Sequence, residues 1–153
     1  MRIAIGSDHG GFALKETLKA HLQEQGHEAV DFGAHSTASC DYPDYAEKVA
    51  EAVLSGGGEF GILVCGTGVG VSMAANKFPG IRAALVSDAF TAEYTRRHNN
   101  ANILCMGERT IGPGLACLLC DIFLKTSFEG GRHQRRVDKI TAIEQKYARY
   151  PGK

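Results

Sequence analysis

The stretch Phe60-Gly61-Ile62-Leu63-Val64-Cys65-Gly66-Thr67-Gly68-Val69-Gly70-Val71-Ser72 joins an apolar, β-branched run of strand length to a glycine-rich turn, and the turn leads into a helical pattern over Ser72–Asn76. The same succession recurs along the chain. Arg2–Ser7 reads as a strand followed by a helix with Leu14, Leu18 and Leu22 on one face. A strand at about Glu28–Phe32 is followed by a polar loop and then a helix from Tyr42-Pro43-Asp44 to about Ser55, with Ala46, Val49, Ala50 and Val53 facing inward. Gly80–Val86 gives a fourth strand, and Ser87-Asp88 opens a helix through Tyr94 and Arg97. Ile103–Gly107 gives a fifth, with a helix from Gly112 to Lys125, and a last amphipathic helix carries Val137, Ile140 and Ile143. Five strands alternating with helices predict an α/β fold, a Rossmann-like three-layer sandwich around a five-stranded parallel sheet, closed by a C-terminal helix. A flavodoxin-like order 2-1-3-4-5 is expected, which opens a crevice at the carboxyl ends of strands 1 and 3. With 153 residues and 44% hydrophobic content, one domain over residues 1–153 has enough chain for a substantial core.

Charge excludes some partners. Seventeen basic residues balance seventeen acidic ones, so no global field recruits nucleic acid or an anionic membrane, and any anion preference has to be local. Met1-Arg2-Ile3-Ala4-Ile5 reads as a strand rather than a signal segment, and no run reaches membrane-spanning length; a cytoplasmic protein is expected. Five cysteines, an odd number without regular spacing, agree with a reducing compartment. Cys117-Leu118-Leu119-Cys120 has the spacing of a redox pair but lies in an apolar helical pattern, where packed thiols are expected.

The candidate site begins at Cys65, where strand meets loop. Alone, Cys65 reads more readily as a small buried hydrophobe than as a catalytic group. Its surroundings favour chemistry, because Gly66, Gly68 and Gly70 let the backbone turn tightly and aim N–H groups at one place, to which the following helix presents its positive end. The glycines fit neither a Walker loop, which ends in Gly-Lys-Ser/Thr, nor the Gly-x-Gly-x-x-Gly dinucleotide fingerprint, and Val71 stands where a cysteine phosphatase loop has arginine. Asp8 and His9 follow strand 1 and meet Cys65-Gly66-Thr67 at the crevice, although Asp8 also reads as a helix cap and His9 as a solvated loop residue. Tyr42 overlooks the same edge, and Arg109 follows strand 5. Arg132 and Arg136, at i,i+4 on the last helix, present two guanidinium forks suited to a phosphate, or else a solvated basic face. A thiolate, amide donors, an Asp/His pair and arginines together suit removal of a proton next to a carbonyl, with no metal or cofactor required.

Ser7-Asp8-His9-Gly10-Gly11, Asp41-Tyr42-Pro43, Cys65-Gly66-Thr67-Gly68-Val69-Gly70, Ala75-Asn76-Lys77, Arg97-His98-Asn99 and Glu129-Gly130-Gly131-Arg132-His133 resemble the ribose-5-phosphate isomerase B family over nearly the whole chain. The resemblance implies cofactor-free interconversion of ribose 5-phosphate and ribulose 5-phosphate in pentose phosphate metabolism, by a homodimer or a dimer of dimers. It implies that Cys65 moves the proton between C1 and C2, and that Gly66, Thr67, Gly68, Val69 and Gly70 form the anion hole. His98 with Asp8 would open the furanose ring, Thr67 would assist proton movement, and Asn99 would contact the sugar. His9, Arg132, Arg136 and Arg109 would hold the phosphate. Some relatives carry serine in place of this cysteine and use a glutamate as base; Cys65 places this chain with the cysteine type. A six-carbon sugar phosphate, allose 6-phosphate or galactose 6-phosphate, is the close alternative substrate, and a non-catalytic module binding a phosphorylated ligand is an alternative of another class.

One placement resists a single-chain site. His98 and Asn99 lie in the polar segment before strand 5, and in a parallel sheet that segment belongs to the end opposite Cys65. If His98 and Cys65 serve one reaction, His98 is expected to arrive from a neighbouring subunit.

Overall fold

The computed structural model describes residues 1–148. Along the chain run β1 (Arg2–Ser7), α1 (Phe12–Glu24), β2 (Glu28–Asp31), α2 (Tyr42–Leu54), β3 (Phe60–Cys65), α3 (Val69–Ala75), β4 (Ala83–Leu85), α4 (Ala89–Asn99), β5 (Ile103–Gly107), α5 (Pro113–Lys125) and α6 (Arg132–Tyr147), with a 3₁₀ turn over His9–Gly11 ahead of α1. All five strands are parallel. Alternation along the strands divides the core into two layers. Ile3, Ile5, Ile62, Val64, Leu104 and Met106 pack against α1, α4 and α5 through Leu14, Leu18, Ala92, Leu119 and Phe123. Ala4, Leu63, Cys65, Ile103 and Cys105 pack on the other face against α2 and α3 through Val49, Ala50, Val71 and Ala75. Among the described residues no helix is long and apolar enough to cross a membrane.

The strand order is 2-1-3-5-4, which corrects the expected 2-1-3-4-5. Burial explains the exchange. All five residues of β5 are buried, and its ladder with β3 runs from Gly61–Ile103 to Cys65–Gly107. The expected fourth strand shrinks to three partly exposed residues, and a short, half-wet strand belongs at a sheet edge. The crevice between β1 and β3 survives the correction, because it depends only on those neighbours.

The last helix is sealed less completely than its pattern suggests. Val137 is buried, but Ile140 and Ile143 are exposed. With Ile81, Ala83 and Ala84 of the β4 edge they line a groove of about 780 Å³.

A charged network fixes the β2 end of the sheet. Lys15, fully buried, places Nζ 2.6 Å from both Asp31 and Glu16, and Lys19 reaches the same two carboxylates at 2.8 and 2.9 Å. The other oxygen of Asp31 accepts from the Gly33 amide, and Gly33 in turn accepts from Ser7, the residue before Asp8. Burial pushes the Asp31 pKa up, but the bonds from Lys15, Lys19 and Gly33 outweigh it and hold the group at about 2, against 3.8 ordinarily. A depressed carboxylate contributes stability that is complete above its unfolded pKa and lost as pH falls toward the folded one. Denaturant titrations should therefore lose stability between about pH 4 and pH 2, and Asp31→Asn should remove roughly 2 kcal/mol at pH 7 and flatten that window. Equal acid profiles for the two proteins would show that Asp31 is not the responsible group.

Candidate active site

The carboxyl ends of β1, β3 and β5 build one cluster. The Asp8 amide donates to the Val64 carbonyl at 3.3 Å, which draws the segment after β1 against the end of β3. Only glycine allows this approach at Gly11, where a Cβ would lie 2.6 Å from the Val64 carbonyl and 2.8 Å from the Cys65 nitrogen. The buried Asp8 carboxylate accepts from the Gly10 amide at 2.9 Å, so it performs the capping role at the crevice itself. Its neighbour His9 keeps Nδ1 at 3.2 Å from the backbone nitrogen and oxygen of Cys40.

Cys65 is buried, and its Sγ accepts from the Gly68 amide at 3.1 Å. Gly68 holds φ at 78°, the left-handed turn that starts α3 at Val69, three residues earlier than the sequence pattern suggests. The first-turn amides of Gly70 and Val71 have no helical carbonyl ahead of them. Thr67 is exposed, with Oγ1 accepting from the Val69 amide at 3.3 Å. The Tyr42 ring lies over Gly70, at 2.8 Å from where a Cβ would stand.

Arg109 joins this cluster because β5, not β4, neighbours β3. The Glu108 and Arg109 amides donate to the Cys65 and Gly66 carbonyls at 2.9 and 3.0 Å, and the Arg109 side chain covers the bare face of Gly66. Asp8, His9, Tyr42, Cys65 through Gly70 and Arg109 thus share one end of the sheet.

His98, Asn99, Arg132 and Arg136 lie elsewhere. His98 and Asn99 form the last turn of α4 rather than a loop, and Asn100, at φ 48°, ends the helix. Two residues on, the Asn102 carbonyl accepts from Gly61 at the start of β3. Cys65 is four residues further along that strand, roughly 13 Å away at the usual rise. Arg132 and Arg136 are exposed on the first turns of α6, which packs on α4. Arg96 ties this end together: its buried guanidinium donates to Asn100 and to the Ala101 carbonyl, lies 4.5 Å from the Phe60 ring, and has its Nε 3.4 Å from the Thr126 carbonyl.

An aromatic ladder climbs the exposed face of α4. Phe90 stacks on Tyr94 at 4.1 Å, Tyr94 meets His98 edge-on at 4.8 Å, and His98 stacks on His133 at 4.0 Å with the rings 7° from parallel. Glu129 Oε2 stands 3.7 Å from His98 Nε2 and 3.4 Å from His133 Nε2. The hydrogen bond from Arg97 draws the Glu129 pKa down, while burial and then the neighbouring His98 lower that of His133. Ligand-capable atoms of His98, Glu129 and His133 all lie within 4.8 Å of one another, the spacing of a metal triad. Arg97 bonds the other carboxylate oxygen, Oε1, and Arg132 Nε lies 3.4 Å from His133 Nε2, so guanidinium groups crowd the cluster and it is an ion-pair network. The spacing of Phe90, Tyr94 and His98 at i, i+4, i+8 is the sequence signal that reveals this ladder. Elsewhere the cysteine pair of α5 is packed as expected, with burial pushing the Cys120 thiol up to about 12 and the Cys117 thiol up as well.

A family model described as Ribose/Galactose Isomerase matches residues 3–140. Ribose-5-phosphate isomerase B of Escherichia coli is 52% identical over 145 residues, covering 95% of this chain and 97% of that one. Among solved structures, the ribose-5-phosphate isomerase B of Clostridium thermocellum superposes with a TM-score of 0.95 at 54% identity, over 96% of this chain and 99% of that one. That of Mycoplasma genitalium, solved with bound ribulose 5-phosphate, gives 0.90 at 47% identity over 95% and 97%.

The glycine loop yields a sharp test. A Cβ at Gly68 would stand 2.5 Å from Leu85 Cδ1 and 2.8 Å from the Met106 carbonyl carbon, at a φ that side chains rarely adopt. Gly68→Ala should cost roughly 1–3 kcal/mol in denaturant unfolding. Gly114→Ala, in open space on α5, should be neutral or slightly stabilising. Equal midpoints for the two variants would mean that the loop relaxes freely.

Proposed function

The chain belongs to the ribose/galactose isomerase family, and we infer from this that it interconverts ribose 5-phosphate and ribulose 5-phosphate. The reaction moves a proton between C1 and C2 through an enediolate. Cys65 is the base: its sulfur sits at the strand end beside the glycine loop, with the Gly68 amide donating to it. Amides of the Gly66–Gly70 loop face the oxygen on which charge develops. Asp8 and Thr67 handle hydroxyl protons beside it, Tyr42 walls the crevice, and His9 and Arg109 bind phosphate from this end.

His98 opens the furanose ring, Asn99 contacts the sugar, and Arg132 and Arg136 complete the phosphate site. The observation that carries this arrangement is their separation from Cys65 within one chain, at opposite ends of a parallel sheet. A homodimer unites them, with each site taking Cys65 from one subunit and His98 from the other. Exposed apolar residues support such pairing: Val69, Met73, Leu85 and Phe90 stand uncovered at the Cys65 end, and Ile140 and Ile143 on α6. Two such dimers can pair further. The relatives named after ribose 5-phosphate favour the pentose over six-carbon substrates, and pentose phosphate metabolism in the cytoplasm is the setting.

Two variants test the reading together. Cys65→Ser and His98→Ala should each fold and each lose nearly all turnover of ribose 5-phosphate. Mixed under conditions of subunit exchange, they should recover about a quarter of wild-type activity, since half the dimers pair unlike chains and each such dimer keeps one intact site. No recovery despite verified exchange would refute the shared site, and full activity of Cys65→Ser would remove Cys65 as the base.

A further inference from the structure

The surroundings of His98 exceed what a single ring-opening histidine at a helix end requires. Its imidazole is half exposed, yet its face is covered by His133, its edge meets Tyr94, and its Nε2 looks onto Glu129. Glu129 is itself clamped, by the Arg97 guanidinium at 2.5 Å and by its own amide on the Arg97 carbonyl at 3.1 Å. Arg97 is further tied to Glu93 at 2.8 Å, one turn back on α4. His133 is buried and brings its ring from α6, so residues from α4, the segment before α6 and α6 itself meet on one side chain. Ion pairs this exposed add little to stability, and stability alone does not account for the arrangement.

Resting on the ring-opening role assigned to His98 above, we propose that Glu129 and His133 are positioning residues that hold the His98 imidazole in the orientation ring opening needs. In that step the O1 hydroxyl loses its proton, the bond between C1 and the ring oxygen O4 breaks, O4 gains a proton, and C1 becomes an aldehyde. Both proton movements demand a ring fixed in plane and direction. The parallel stack on His133 sets the plane, and the Glu129 carboxylate sets the direction of Nε2. In this role neither residue acts on the carbons between which Cys65 moves its proton.

Substrate chemistry separates this role from general damage. Ribulose 5-phosphate has no furanose form, because the oxygen that would close the ring carries the phosphate. In heavy water the thiolate removes a C1 proton, exchanges it with solvent and returns a deuteron to C1, and that exchange needs no ring opening. Glu129→Gln and His133→Ala should therefore lower turnover of ribose 5-phosphate roughly ten- to a hundredfold, while deuterium entry into ribulose 5-phosphate, followed by proton NMR, stays within about twofold of wild type. Glu129→Asp should recover part of the loss, and His133→Phe, which keeps a flat ring in the buried position, should lose less than His133→Ala. A parallel fall of exchange and turnover in both variants, or no fall in either, overturns the positioning role. His98→Ala run alongside should show the split at its fullest. If His98→Ala lowers exchange and turnover together, the ring-opening assignment fails first, and the role of Glu129 and His133 with it.

Discussion

A parallel sheet has two ends that differ chemically, and everything in this molecule follows from that polarity. At one end carbonyls leave the strands and loops turn into helix starts; at the other, helices finish and the chain enters the strands. Backbone hydrogen bonding between β3 and β5 fixes both at once, since the same ladder that ends in the Cys65–Gly107 pair begins at Gly61–Ile103, beside the finish of α4. The thiol loop receives amides from Glu108 and Arg109 because of this pairing. The histidine end is held by the buried Arg96, a cation with carbonyl and amide oxygens as acceptors at a helix C-terminus, where the dipole favours positive charge.

Much of this was legible in the residues. Alternating strand and helix patterns located every strand, and the convergence of Asp8-His9 on Cys65-Gly66 followed from the adjacency of β1 and β3 alone. The order of the last two strands was not legible, because Gly80–Val86 looks as good a strand as Ile103–Gly107. Burial separates them only after folding, when Arg82 bonds sideways to Asn100 and the regular strand shortens to Ala83–Leu85. Arg109 was placed among the phosphate groups by family resemblance, and the exchange of β4 and β5 supplies the physical reason it lies beside Gly66.

What stayed hidden involves relations between side chains that share no local period. Glu129 and His133 belong to a recognisable motif, yet their approach to His98 depends on how α6 packs over α4. Lys15 reads as an ordinary polar position on α1, and nothing in its neighbours announces a fully buried amine held by Asp31 across the β1–α1–β2 unit. The exposed Ile140 and Ile143 show the converse, a clean amphipathic pattern whose apolar face the single chain leaves uncovered.

The ladder on α4 turns that helix into a ruler. Phe90 stands at the end of the sheet that holds the thiol, His98 at the other, and the rungs between them fall one turn apart, so eight residues span about 12 Å along the axis. Loops at either end can lengthen or change composition without altering that interval. A single residue gained or lost within α4 would swing everything beyond it by about 100° and take His98 off the face it shares with Tyr94. In this architecture the distance between the thiol end and the histidine end is counted in helical turns, and the count admits no fractions.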